Sequence, residues 1–286
     1  MFAFGYTHKS ASALGELSPA LVTFVGVYVA ALVVLFISAF WSVDEFTGKL
    51  IHTWTTDNFK TLWEGNAYHT IALRTIAIAA LVTVADALLA FPVAYFMARI
   101  ASRRLRSALF VAVILPLWSS YLLRVYAWRL ILDHDGLLNW VLAKLGLPAA
   151  NIAYTNVAVW LVFTYIWLPF MIVPVYAALE RIPRSTIEAS ADLGARGART
   201  FRSVILPLAL PGVVAGSIFT FALTLGDYIT PTLVGGASSQ FIGNIVYGSV
   251  GIANDVPFAA AFATIPLVVM ALYLVAARRL GAFEAL

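Results

Sequence analysis

The sequence contains no cysteine, which excludes disulfides, thiolate metal sites and cysteine nucleophiles together. Charge is almost as scarce: Asp, Glu, Lys and Arg make up 11% of 286 residues, against about 25% in an average soluble domain. The four histidines, His8, His52, His69 and His134, are scattered without H-x-x-x-H spacing, so no metal centre is expected. No G-x-x-x-x-G-K-[ST] segment exists to cradle nucleotide phosphates, and no G-x-S-x-G elbow exists to hold a nucleophilic serine. With no nucleophile or metal cluster inside the apolar segments, an enzyme is not expected. What fills the chain instead is apolar: 62% of the residues are hydrophobic. A soluble fold of this length cannot hide so much apolar surface, so the solvent around it must be lipid.

Six segments are long and apolar enough to cross about 30 Å of hydrocarbon at about 1.5 Å per residue. They lie near Ala20–Trp41, Thr70–Ala98, Ala108–Leu132, Thr155–Leu179, Val204–Leu225 and Pro257–Ala277. Prolines inside or at the start of them, including Pro92, Pro116, Pro169, Pro174 and Pro211, predict kinks. A polar stretch, Met1–Ser18, precedes the first apolar run, so no cleaved signal peptide is expected. The expected organisation is a cytoplasmic tail over residues 1–19 and one six-helix membrane domain over 20–286.

Basic residues alternate from loop to loop. Lys9, Arg99, Arg103, Arg104, Arg106, Arg181, Arg184, Arg196, Arg199, Arg202, Arg278 and Arg279 fall on one side, and Lys49, Lys60 and Lys144 on the other. The basic side is cytoplasmic by the positive-inside rule, which places both termini inside. Basic loops beside lipid read as topology signals and phospholipid contacts, so no nucleic-acid partner is expected.

The loop before the fifth span, about residues 180–203, carries a short helix signature. Ser185 followed by Glu188 reads as a capping box. Gly194 reads as a helix stop. Arg184 and Glu188 are spaced for an i,i+4 ion pair. A helix of about two turns is marginal alone, so it should pack against its own membrane helices or a cytoplasmic partner.

Glu188-Ala189-Ser190, then Gly194 four residues after Ser190, then Val204, Leu206 and Pro207, resembles the EAA loop of ABC-importer permeases. The spacings agree; Ser190 stands for an alanine and Val204 for an isoleucine. The segments around Leu115–Arg129, Leu225–Gly236 and Ile242–Ala261 are similar to the spermidine/putrescine-type permeases of that family. The resemblance implies an all-α membrane protein with the six-helix type I importer fold. It also implies a permease subunit that binds no cofactor itself, the ATP and magnesium being used by a partner ATPase dimer. Further implied partners are a second six-helix permease and an extracytoplasmic solute-binding protein. Coupling to the ATPase would fall to Glu188, Ala189, Ser190, Asp192, Leu193, Gly194, Leu206 and Pro207. The implied cargo is a polyamine, with iron, phosphonate or another small solute as the alternative. An ion-driven secondary transporter would want inverted repeats or paired broken helices, and neither is evident.

Ionisable groups within spans are costly and point to function. Arg74, Asp86, Arg124 and Arg129 are the four present. Arg74 lies too far along its helix to pair with Asp86. Arg124 could brace Asp227 across helices, and Arg129 could snorkel to the interface. A polyammonium solute needs carboxylates and aromatic faces, so Asp86, Trp118, Tyr121, Arg124, Asp227 and Tyr228 are the candidates for its path.

Overall fold

The computed structural model describes residues 6–44 and 47–279. It is helical nearly throughout. The order is α1 Tyr6–Ser38, a two-residue antiparallel pair β1 Ser42–Val43 and β2 Leu50–Ile51, α2 Asp57–Glu64, α3 Asn66–Tyr95, α4 Arg103–Ile114 and α5 Tyr121–Leu132. Then follow α6 Leu137–Lys144, α7 Asn156–Arg181, α8 Arg184–Asp192, α9 Gly197–Thr200, α10 Leu206–Gly226, α11 Ile229–Val234, α12 Ile242–Gly251 and α13 Val256–Arg279. Among the described residues, four continuous helical stretches are long and apolar enough to span: Asn66–Ile100, Asn156–Arg181, Gly197–Gly226 and Val256–Arg279. Each has one end at the basic end of the bundle. The first apolar run lies in α1, which begins at Tyr6, so residues 6–19 of the expected tail are helical.

The third expected span is not one helix. Residues Arg103–Trp118 and Tyr121–Lys144 form a pair bent by 94°. Pro116 lacks the N–H that would continue the helix. The chain tightens into a 3₁₀ turn, Leu115–Trp118, and leaves it through the extended residues Ser119 and Ser120. The Ser119 hydroxyl donates to the Pro116 carbonyl at 2.7 Å and closes the corner. The kink expected at Pro116 is present, but as a 94° corner that breaks the span in two.

The core is a three-helix packing of α3, α7 and α10. One cluster joins Val82, Val125, Val159, Phe163, Trp167 and Phe241. A second, nearer the basic end, joins Ala94, Met97, Met171, Val175, Leu179 and Ala209. Close approach of α10 to α7 depends on two glycines four residues apart. A Cβ on Gly212 would sit 2.5 Å from the Ala178 Cβ, and one on Gly216 would sit 2.6 Å from the Met171 Sδ. This is the small-x-x-x-small rule of membrane helix pairs, where van der Waals contact replaces the hydrophobic drive that lipid cannot supply.

Candidate functional site

The basic end presents α8 as an exposed helix with no buried side chain. Its N-terminus differs from the expected capping box. Pro183 occupies the cap position with φ −64° and ψ 143°, and no side chain caps the helix. The proline ring presets the entry angle, which moves Ser185 inside the first turn, and the Pro183 carbonyl accepts from the Thr186 N–H at 3.2 Å. The expected Arg184–Glu188 ion pair is absent among the described residues. The C-terminus behaves as expected. Gly194 takes φ +79°. Its N–H donates to Ala191 O at 2.8 Å, and the Ala195 N–H donates to Ser190 O at 3.1 Å. Those two bonds make a Schellman cap, which a left-handed glycine accommodates without Cβ strain.

Inside the chain, α8 leans on Ile187, which packs against the cluster at the basic end. Ser190, the departure from the family pattern, has a local role: its Oγ lies 3.2 Å from the Thr200 Oγ1 on α9. Glu188, Ala189, Asp192 and Leu193 face outward, and Leu193 is 89% exposed. Leu206 and Pro207 open α10 directly after a π-helical turn over Phe201–Ile205. The sequence-expected coupling residues thus form one contiguous unit: an outward helix joined through α9 to the start of a core helix.

Two arginines that the sequence reading used only for topology brace this unit. Arg99 donates through Nη2 to the carbonyls of Leu179 and Ile182, the latter at 2.8 Å. Arg106 donates to Met97 O at 3.0 Å and Ala98 O at 3.2 Å, and pairs with Glu180 Oε1 at 3.2 Å. A cation over helix C-terminal carbonyls satisfies orphan acceptors and opposes the helix dipole. These contacts clamp the ends of α3 and α7 and the root of α4 together, one residue before Pro183 and α8.

The other end of the bundle holds a cavity of about 320 Å³ lined by Tyr121, Trp167, Leu223, Gly226, Asp227 and Tyr228 among others. Asp227 follows α10 and caps the turn into α11. Its Oδ1 accepts from the N–H groups of Ile229 at 2.7 Å and Thr230 at 3.0 Å. Its Oδ2 accepts from the Tyr121 hydroxyl and from Thr230 Oγ1 at 3.4 Å. The Tyr121 ring stacks on Trp167 at 5.8 Å and 13°, and Tyr228 stacks on Tyr247 at 4.4 Å and 11°.

Of the path candidates, Tyr121, Asp227 and Tyr228 therefore come together. Trp118 stands apart at 88% exposure beside the broken corner. Asp86 is elsewhere: it is fully buried on the α3 face that packs into the core, does not line this cavity, and neither carboxyl oxygen has a partner among the described residues. The Arg124–Asp227 brace is not formed; Tyr121 takes the carboxylate, and Arg124 lies over the Tyr121 ring at 6.0 Å. Arg74 donates to Gln240 O at 3.3 Å, and Arg129 lies over the Tyr154 ring at 5.8 Å. The sequence reading missed Trp167 and Asn244. Asn244 donates to Tyr228 O at 2.9 Å and Thr232 Oγ1 at 2.7 Å, so it fixes the Tyr228 loop. Its place in the Ile242–Ala261 stretch was the available signal. Among the described residues no group of three or more His, Cys, Asp or Glu is placed to hold a metal.

A model of the "binding-protein-dependent transport system inner membrane component" family matches residues 90–282. The chain belongs to that family. It is 48% identical over 273 residues, 91% of this chain and 87% of the relative, to the inner membrane ABC transporter permease protein YdcU of Escherichia coli K12. It is 33% identical over 222 residues, 77% of this chain and 80% of the relative, to the spermidine/putrescine transport system permease protein PotB of the same organism. Its fold resembles a chain of a bacterial alginate ABC transporter in complex with a periplasmic protein, with a TM-score of 0.74, 16% identity and coverage of 98% and 99% of the two chains. This chain is thus an inner-membrane permease subunit of an ABC importer. Its relatives are transport subunits, not catalytic ones.

Proposed function

We propose that this permease subunit admits a polyamine-type organic cation and is driven by a separate ATPase dimer docked on α8. The observation that carries the cargo is the cavity in which Tyr121, Trp167 and Tyr228 surround the carboxylate of Asp227. Aromatic faces attract ammonium groups by cation–π contact, and a desolvated ammonium needs negative charge nearby. The relationship to PotB, whose name specifies spermidine and putrescine, supports the same cargo. The outward face of Glu188, Ala189, Asp192 and Leu193 supports the docking site. ATP and magnesium belong to the ATPase, and a second six-helix permease and an extracytoplasmic binding protein complete the assembly.

The test is reconstitution of the full assembly in proteoliposomes with labelled putrescine and spermidine. ATP-dependent uptake is expected, and Asp227→Asn with Tyr228→Ala should abolish it while ATP hydrolysis persists. Absence of both uptake and binding of either amine by the binding protein would remove the polyamine assignment. Replacing Glu188 and Gly194 should separate ATP hydrolysis from uptake; unchanged coupling would remove the α8 assignment.

A further inference from the structure

Arg74 is a span arginine to which the transport reading gives no role. It lies in the outer part of α3, at the end of the bundle that holds the cavity, yet it does not line that cavity. None of the ion pairs among the described residues includes it. Its Nη1 donates instead to two backbone carbonyls, those of Ser238 and Gln240, the latter at 3.3 Å. Both acceptors belong to the stretch Gly235–Phe241 that joins α11 to α12. Non-helical backbone beside a membrane span persists only where its polar groups find partners.

The next residue on α3 makes a second tie. Thr75 is fully buried, and its Oγ1 accepts from the Ile242 N–H at 3.1 Å. That N–H opens α12 and has no partner within the helix. A third tie runs from α12 to the cavity. Asn244 Oδ1 accepts from the Phe241 N–H at 2.9 Å, and its Nδ2 donates to Tyr228 O at 2.9 Å. Contact there is close, since a Cβ on Gly243 would sit 2.8 Å from Asp227 O. A displacement of the Ser238–Ile242 stretch therefore carries Asn244 with it, and with Asn244 the Asp227–Tyr228 backbone that walls the cavity. The Phe241 ring is fully buried against Phe163 at 6.1 Å and anchors the stretch in the core. An apolar anchor is non-directional. Hydrogen bonds from one guanidinium to two carbonyls are directional, and they fix how the stretch is turned.

We propose that Arg74 is a positioning residue for cargo binding. By holding the Ser238 and Gln240 carbonyls it sets, through Ile242 and Asn244, where Asp227 and Tyr228 stand in the cavity. This rests on the reading of that cavity as the cargo site. Lysine keeps the charge but replaces a rigid planar fork with a point ammonium, so it should serve only in part.

The test uses the assembled transporter in proteoliposomes. The chain has no cysteine, so a single introduced thiol reports on this stretch alone. Ser239 is 1% exposed, whereas Ala237 beside it is exposed. A water-soluble maleimide should label Ser239→Cys about tenfold faster once Arg74→Ala is added, with Arg74→Lys in between. Ala237→Cys should label alike in all three backgrounds. In uptake of labelled putrescine, Arg74→Ala should raise the half-saturating concentration about tenfold and lower the maximal rate less. Asn244→Ala should act in the same way, and the double variant should match the worse single one, because both residues lie on one chain of contacts. Equal labelling of Ser239→Cys with and without Arg74 would overturn the proposal. So would additive effects of the two uptake variants, or a loss confined to the amount of assembled protein, which a purely structural arginine would give. Failure of the wild-type assembly to take up the amine would instead overturn the cargo reading, and the labelling comparison would then decide the role of Arg74 by itself.

Discussion

At the scale of single residues, satisfaction of polar atoms separates Asp227 from Asp86. Asp227 is the cap of a turn, and each of its oxygens accepts two hydrogen bonds. Tyr121→Phe removes one donor and leaves the ring stack on Trp167 in place. A lost charge-assisted bond of this kind costs about 1.5–3 kcal/mol, so the variant should melt earlier and take up less cargo, read by thermal unfolding and uptake on one preparation. Asp86 is the reverse case, fully buried with both oxygens unpaired among the described residues. An unsatisfied buried polar group costs about 1–3 kcal/mol, more if charged. Asp86→Asn keeps the volume and removes any uncompensated charge. It should therefore unfold at a higher temperature than wild type; a lower melting temperature would mean that the carboxyl group has a partner in the assembled transporter.

At the scale of elements, glycine and proline decide more than hydrophobicity. Gly216 lets α10 touch α7, since even a Cβ would meet Met171 Sδ at 2.6 Å and Met171 Cα at 3.0 Å. Overpacking of this size costs about 1–3 kcal/mol, so Gly216→Ala should lower the yield of monodisperse protein in detergent. Gly26 on α1 has nothing within 4 Å of a built Cβ, and Gly26→Ala is the control expected to match wild type. The long helices were legible in the sequence because apolar runs report length directly. The corner at Pro116 was legible as a kink, but its size was not. A run can be continuous in hydrophobicity while Pro116 and the two serines after it turn the backbone through 94°. The same holds for α8, whose existence and Gly194 stop were legible while its cap was not. A serine followed three residues later by a glutamate satisfies the pattern, but Pro183 had already fixed the entry.

At the scale of the whole molecule, the two functional ends are tied by the α3–α7–α10 core. If α8 is the ATPase contact proposed above, a push on it would reach α3 and α4 through Arg99 and Arg106, whose bonds run to Leu179, Ile182 and Glu180. The Arg106–Glu180 pair is partly exposed, at 30% and 49%, and contributes about 0.5 kcal/mol or less to stability. Its expected role is therefore transmission more than stability. Arg106→Glu should leave ATP hydrolysis by the assembled complex while uptake per ATP falls, and Glu180→Arg in the same chain should restore part of the ratio. An unchanged ratio in the single variant would place the transmission route elsewhere.

The sequence by itself determined the solvent, the class and the place of the α8 loop proposed to couple to the ATPase. Those depend on composition and on short-range spacing, which one chain carries in full. The run of apolar residues demanded a bilayer, and the spacing from Glu188 to Pro207 marked the loop at the basic end. Tertiary structure alone decided which polar groups meet. In the sequence Asp86 lies within a span and Asp227 just past the end of one, and both are candidates for the path. Only the folding of α5, α10 and α11 against one another gave Asp227 its four donors, while Asp86 on α3 has none among the described residues. Pairing between groups about a hundred residues apart, such as Tyr121 and Asp227, is set by helix crossing and rotation, and no local pattern encodes either.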